Sequence, residues 1–225
     1  MKNIITIDFD IIMAPCIGLY NNIVPEWSWE QLKRDFHQLK LLNADLVHYQ
    51  RLSNYIHQVI QKIPKENIVF IENHGALNKY LPNEKVNVYN IDHHHDCGYG
   101  PKEKLNNEKE EELNCANWVY DIARHGYLNF YTWIKNTSSS EEEPLYNGLI
   151  NRKVNLPDCD LDKLPLPDLL VLCLSEPWTP PEYRPLYYLW ADVLNTYYNT
   201  TYEIDRQINF EGEDYYGTLY KERTL

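Results

Sequence analysis

One short segment concentrates residue types that bind metal ions. The segment Asp92-His93-His94-His95-Asp96 directly follows an apolar run that is typical of a β-strand. In an extended chain, residues two positions apart project to one face, so Asp92, His94 and Asp96 are expected to meet. Two carboxylates and an imidazole crowd one another unfavourably unless a cation lies between them. A polar surface loop or a histidine tract would look similar, but the position after a buried strand favours a divalent metal site.

Two further strand ends offer the same kinds of ligand. Asp8 and Asp10 close the apolar N-terminal run and share a face because they are two residues apart. His74 follows another apolar run, in Asn73-His74-Gly75. Either feature alone is common in turns and caps that bind no metal. Three strand ends that offer ligands to one rim favour a divalent ion.

The combined set contains more donors than one ion needs. Four carboxylates and two imidazoles suit two ions that share bridging carboxylates, at a separation on the order of 3.5–4 Å. The ligand hardness favours two Mn²⁺ ions, with Fe, Co and Zn as further candidates. A water between two such ions loses a proton near neutral pH and becomes a nucleophile. The predicted ligands are Asp8, Asp10, His74, Asp92, His94 and Asp96.

The elements that must position these residues follow the rhythm of a parallel α/β sheet. Apolar, β-branched runs predict strands over residues 3–10, 86–92, 130–134 and 168–174, and a strand with its turn over 67–75. Helical patterns cover residues 44–63, 115–124 and 185–198, and a further helix opens at Ser28. We therefore expect an α/β fold with a mainly parallel central sheet and the metal site at the carboxyl ends of its strands. A single domain over residues 1–225 accounts for the whole pattern.

The bulk composition limits the classes of partner. The formal net charge of −12 argues against nucleic acid as a partner and is compatible with a cationic substrate. No run approaches the roughly 20 apolar residues of a membrane span. The N-terminal apolar run is too short and too acidic for a secretory signal, so a cytoplasmic protein without membrane contact is expected. Five cysteines without a Cys-x-x-Cys pair argue against disulfides and a cysteine-rich zinc site.

The chemistry-bearing segments resemble the ureohydrolases, the superfamily of arginase and agmatinase. The segment from Asp92 to Asp96 matches the Asp-x-His-x-Asp motif of that family, and His74 resembles its upstream metal histidine. Asp8-Phe9-Asp10, with Pro15 a few residues on, matches a third motif, which normally lies downstream, so the order here is permuted. Together with Ser175-Glu176-Pro177-Trp178, these segments resemble the peptide arginases, which convert arginine side chains of ribosomally made peptides to ornithine.

That resemblance implies a three-layer arginase-like fold and a role for each ligand. His74 and Asp96 would bind one ion, His94 and Asp10 would bind the other, and the bridging carboxylates would be Asp8 and Asp92. Asp10 would also carry the proton from the nucleophile.

The same resemblance implies residues that handle the substrate. Glu176 resembles the strand-end glutamate with which arginases bind the guanidinium, since a carboxylate can accept a bidentate pair from a planar cation. A turn residue before Pro177 is the alternative reading of Glu176. Asn117 and Trp118 would line the pocket. A nearby histidine would shuttle protons, and the candidates are His93, His95 and His125.

The resulting hypothesis is a metal-dependent amidinohydrolase that converts peptidyl arginine to ornithine with release of urea, in the maturation of a ribosomally made peptide. Free arginine and agmatine are further candidate substrates. A deacetylase-like amide hydrolase acting on acylated amines is one alternative, and it would need one catalytic ion and a histidine pair. A non-catalytic, metal-stabilised module that binds basic peptides is the other. Turnover separates the enzymes from the binding module.

Overall fold

The central element of the computed structural model is a parallel β-sheet. The structure describes residues 1–13, 44–98, 117–139, 148–175, 178–179, 183–199 and 204–205. Within these ranges the strands are β1 Lys2–Asp8, β2 Ile68–Ile71, β3 Val86–Ile91, β4 Leu128–Lys135, β5 Arg152–Asn155, β6 Leu169–Cys173 and β7 Ile204–Asp205. Their spatial order is β5-β4-β3-β1-β6-β2-β7, and every pairing is parallel.

Three α-helices accompany the sheet in the described part of the chain. They are α1 Leu46–Ile60, α2 Trp118–Arg124 and α3 Arg184–Tyr198. The side chain of Asp45 starts α1 by accepting the backbone N–H groups of Val47 and His48, as an N-cap residue does. Asn199 ends α3 in the left-handed conformation, with φ 48°, which asparagine tolerates well. Among these described helices, none has both the length and the apolar character to cross a bilayer.

Alternate residues of the strands belong to two apolar cores, one on each face of the sheet. Ile5 and Ile7 of β1 enter a core that contains the buried residues of α1 and α3. Ile4 enters a second core, which contains the buried residues of α2. A sheet made only of parallel strands needs cover on both faces, because neither face can be left to water without exposing apolar side chains. The observed α/β architecture agrees with the predicted class.

Aromatic packing anchors the turn that follows β1. The chain turns through a 3₁₀ segment, Phe9–Ile12, directly after the strand. The Phe9 ring packs edge-on against Trp190 and Tyr187 of α3, with ring centroids 5.3 and 5.7 Å away. Tyr187 in turn donates its hydroxyl to the Leu172 carbonyl oxygen at 2.8 Å. Phe9, the residue between Asp8 and Asp10, is therefore packed against α3, and α3 is in turn hydrogen-bonded to β6.

The structure departs from the predicted elements in two respects. Asp10 lies in the 3₁₀ turn instead of on the first strand, because β1 already ends at Asp8. The short strands β5 and β7 were not predicted, since four and two residues are too few to show a clear alternation. The helix predicted to open at Ser28 lies outside the described residues.

The strand order creates a crevice at the centre of the sheet. β1 and β3 are neighbours, yet the chain leaves β1 toward β2, beyond β6, and leaves β3 toward β4 on the opposite side. Where consecutive connections diverge in this way, the loops separate beyond the carboxyl ends of the strands and leave room for a site. Ile7 pairs with Ile91 across these two strands. Asp8 and Asp92, which follow them, therefore both lie at this crevice.

Helix α3 offers a direct test of the core. Leu194 is fully buried among residues of α1 and the sheet, so Leu194→Ala should lower the free energy of unfolding by about 2–5 kcal/mol. Its neighbour Val193 is 47% exposed, and Val193→Ala should change that free energy by about 0.5 kcal/mol or less. Chemical denaturation of both variants measures the difference. Equal effects would contradict this packing of α3.

Candidate metal centre

The predicted ligands converge beyond the carboxyl ends of β1, β2 and β3. Acidic side chains form one group around His74 and another around His94, and the carboxylate of Asp92 belongs to both groups. Most of the cluster is buried, and His94, whose side chain is 19% exposed, is its most open member. The cluster comprises Asp8, Asp10, His74, Asp92, His94 and Asp96.

The first group is the His74 half, formed by His74, Asp8, Asp92 and Asp96. The Nδ1 atom of His74 lies 3.1 Å from Asp96 Oδ2, 3.4 Å from Asp8 Oδ2 and 3.7 Å from Asp92 Oδ2. All four side chains are buried. One imidazole nitrogen and three carboxylates thus surround a small volume, which is a donor set that divalent ions accept.

The second group is the His94 half, formed by His94, Asp10 and Asp92. The Nδ1 atom of His94 lies 3.0 Å from Asp10 Oδ2 and 3.8 Å from Asp92 Oδ1. Asp10 Oδ2 is fully buried, yet within the described part of the chain no donor is aligned to hydrogen-bond it. A buried carboxylate oxygen without an aligned donor is costly, and a metal ion would satisfy it.

Local turns, and not an extended strand, bring these side chains together. β3 ends at Ile91, and Asp92 Oδ1 then accepts the backbone N–H of His94 at 2.8 Å. Asp96 adopts a left-handed backbone with φ 51°. In the same way, Asp8 Oδ1 accepts the N–H of Asp10 at 3.1 Å. The expectation of an extended segment from 92 to 96 was wrong in conformation, although the three side chains do meet.

Neutral residues that the sequence analysis did not single out hold the ligands in place. Thr6 Oγ1 lies 2.7 Å from His74 Nε2, which leaves Nδ1 facing the carboxylates. Asn90 donates its side-chain amide to Asp92 Oδ2 at 3.0 Å. Such outer partners orient metal ligands and set their tautomers. The sequence does contain a signal for Thr6 and Asn90. Each is a polar residue within an apolar run, and each lies two residues before an aspartate of the cluster, which places both side chains toward the same face.

The electrostatics show how tightly the acidic groups are packed. Burial, together with neighbouring carboxylates, raises the pKa of Asp8 and of Asp92 well above the usual range, and burial raises the pKa of Asp96 to about 6. Burial alone would raise the pKa of Asp10, but the charge of His94 lowers it. Without a cation, the cluster therefore retains protons that a bound metal ion would displace.

The other predicted site residues are placed differently. Trp118 is fully buried and donates its indole N–H to Asp96 Oδ2 at 2.6 Å, so it supports a ligand. Asn117, also buried, directly precedes α2. His95 accepts the Cys97 N–H at its Nδ1 and packs edge-on against Trp133. The roles predicted for these residues in substrate binding and proton transfer stay predictions.

His125 is not brought to the cluster. It lies just beyond α2 and lines a cavity together with Val86, the first residue of β3. His125 is therefore near the amino end of β3, whereas the cluster lies beyond the carboxyl end. Its Nδ1 contacts the Asp121 carbonyl oxygen at 2.8 Å. Glu176 lies outside the described residues, although Trp178, two residues on, is described.

The buried Asp and His groups can hold a metal ion. The chain matches no known protein-family model, no curated protein and no solved structure. Its function is therefore inferred from the geometry of the site.

Thr6 provides a test of the site that leaves every proposed ligand unchanged. Thr6→Val removes the hydroxyl that orients His74, so the affinity for Mn²⁺ should fall about 10- to 100-fold. The matched variant is Thr132→Val on β4, where the buried Oγ1 atom has no hydrogen bond in the described part of the chain. That variant should bind Mn²⁺ like the parent protein. Calorimetric titration measures both, and equal affinities would contradict the orienting role of Thr6.

The stability of the protein without metal should fall as the pH rises from 6.5 to 9. Burial alone would lower the pKa of His94, but Asp10 raises it from the ordinary 6.5 to about 9, and the pKa values of Asp8 and Asp92 are raised as well. The folded state thus keeps protons that the unfolded chain releases, so stability decreases with pH. Below pH 6.5 the effect is opposed, because burial lowers the pKa of His93 to about 4.

Thermal unfolding in a chelator measures this dependence. The midpoint should drop by an amount on the order of 5 °C between pH 6.5 and 9. Saturating Mn²⁺ should abolish the drop, because the ions take the place of the protons. A midpoint that is constant or rises across this interval in the chelator would contradict the electrostatics of the cluster.

Proposed function

We propose that this chain is an arginase-like, binuclear metal-dependent hydrolase that converts peptidyl arginine to ornithine and urea. One observation carries the proposal. Asp92 lies between the two halves of the cluster, with Oδ1 3.8 Å from His94 Nδ1 and Oδ2 3.7 Å from His74 Nδ1. A carboxylate that faces a different histidine with each oxygen is placed to bridge two ions.

The donor set supports hydrolysis more than storage or structural binding of metal. Asp92 and its neighbours supply mostly hard oxygen donors, which suit divalent ions such as Mn²⁺. Two divalent ions, when bound, supply an activated water and stabilise negative charge that develops on the substrate. The side chains themselves are held by neutral donors such as Asn90 and Trp118, so the site is organised before the substrate arrives.

The most exposed side of the cluster suits a planar cation. His94 is the most open member of the cluster, and the ring of Trp178, itself only partly buried, lies 5.1 Å from the His94 ring. A guanidinium group can stack on an indole face while it approaches the carboxylates. The net charge of −12 also favours a cationic substrate. Glu176, two residues before Trp178, is the predicted guanidinium ligand.

Asp10 is placed to handle a proton. Its Oδ1 atom accepts the His93 backbone N–H at 3.3 Å, while its Oδ2 atom faces His94. That arrangement fixes the carboxylate but leaves one oxygen directed at the cluster, so Asp10 can take a proton there and pass it to a leaving amine. Of the histidines considered as proton shuttles, His93 lies against the His94 ring, with centroids 5.3 Å apart.

Mass spectrometry of an arginine-containing peptide incubated with Mn²⁺-loaded protein tests the proposal. Each converted arginine should lose about 42 Da, the amidino group released as urea by metal-assisted hydrolysis. Asp92→Asn should reduce this conversion to background because it removes the bridging charge. Asp162→Asn, the same change at an exposed position, should leave the conversion intact.

Metal content, measured on the same samples, separates the possible failures. Two bound ions per chain without conversion of peptides, free arginine or agmatine would overturn the arginase assignment. Cleavage of acylated lysine or polyamine by the same sample would replace it with amide hydrolysis. Binding of basic peptides with no turnover of any of these compounds would indicate a binding module.

A further inference from the structure

The His74 half has a sulfur atom beside it that the proposed ligand set does not use. Cys173 ends β6, and β6 lies between β1 and β2. In the register of the sheet, Cys173 pairs with Asp8 on one side and with Ile71 on the other. It belongs to the same apolar core as Ile4, which shares a strand face with Asp8. The thiol therefore stands next to the Asp8 carboxylate on the same face of the sheet.

The geometry of this sulfur fits a metal ligand. The Cys173 Sγ atom, a carboxylate oxygen of Asp8 and a ring nitrogen of His74 all lie within 4.8 Å of one another. All three residues are buried. The Ser175 backbone also hydrogen-bonds the Cys173 side chain, and Ser175 holds a left-handed conformation with φ 51°. Backbone hydrogen bonds to a sulfur are a common feature of metal–thiolate sites.

The two halves of the cluster therefore differ in chemical softness. Around His74, nitrogen, sulfur and carboxylate oxygen are available together, which is a donor set that Zn²⁺, Co²⁺ and Fe²⁺ accept. Around His94, the partners are the carboxylates of Asp10 and Asp92 at the more open side of the cluster. Oxygen-rich surroundings of this kind suit harder ions such as Mn²⁺.

We propose that Cys173 is a ligand of the ion in the His74 half and that it makes this half select a thiophilic divalent metal, while the His94 half takes a harder ion. Formation of the metal–sulfur bond breaks the S–H bond, and the proton leaves to solvent. This inference rests on the proposed metal centre but not on the chemistry of arginine, because it concerns only which ion each half prefers.

Titration of the metal-free protein with Co²⁺, followed by absorption, tests the proposal without any substrate. A cobalt–thiolate bond gives a strong charge-transfer band in the near ultraviolet, which oxygen and nitrogen ligands do not produce. The band should appear with the first equivalent of Co²⁺ in the parent protein and be absent from Cys173→Ser. The matched variant is Cys97→Ser, whose thiol is equally buried and follows Asp96, but donates to the His95 carbonyl oxygen. That variant should keep the band.

The preference between metals gives a second readout. In competition experiments, Cys173→Ser should lose affinity for Zn²⁺ relative to Mn²⁺ by at least about tenfold. X-ray absorption of the parent protein with one equivalent of Zn²⁺ should show a sulfur neighbour at about 2.3 Å.

Clear outcomes would overturn the proposal. Stoichiometric Co²⁺ binding by the parent protein without a charge-transfer band, or Zn²⁺ without a sulfur neighbour, would show that Cys173 is not a ligand. A band that persists in folded Cys173→Ser would assign the sulfur to another cysteine. None of these results depends on urea release, so a failure here and a failure of the arginase assignment remain distinguishable.

Discussion

The mutual repulsion of buried carboxylates is the constraint on which this structure depends. Asp8, Asp92 and Asp96 surround a single imidazole nitrogen of His74 in a region from which water is largely excluded. Such an arrangement opposes folding unless protons or cations neutralise it. The raised pKa values of these groups express the same cost. The fold therefore has to supply apolar burial elsewhere, and it does so with two cores that cover both faces of a parallel sheet.

Neutral hydrogen-bonding groups hold the side chains of the cluster without adding charge of their own. Thr6 contacts the ring of His74, Asn90 donates to Asp92, and Trp118 donates to Asp96. Because each partner belongs to a strand or to the first turn of a helix, the ligands are fixed by regular structure. A site organised in this way would lose little entropy on binding a metal ion. Asp96, a member of the cluster, also has a left-handed backbone conformation, and backbone strain of this kind is common at functional sites.

Strand order turns these local features into one site. β1 and β3 are far apart in the chain but pair directly, with Ile7 opposite Ile91. β6 returns to lie on the other side of β1, which places Cys173 level with Asp8. A sheet with another order would keep the same motifs and separate their side chains. The divergence of connections at β1 and β3 also opens the space that the side chains fill.

Local pattern in the sequence was enough to indicate the parallel α/β class, most strand ends and the six residues of the cluster. Apolar runs of β-branched residues form strands, and the polar residues that follow such runs mark the strand ends. Only the tertiary structure decided the turn geometry at Asp92 and Asp10, the hydrogen bond between Thr6 and His74, and the proximity of Cys173 to Asp8. The tertiary structure alone also decided the remoteness of His125, which follows the helix that begins at Trp118 but lies near the amino end of β3. These features depend on which strands become neighbours and on the distance between the two ends of a helix. Such relations arise from packing between distant segments, and no local spacing of residues encodes them.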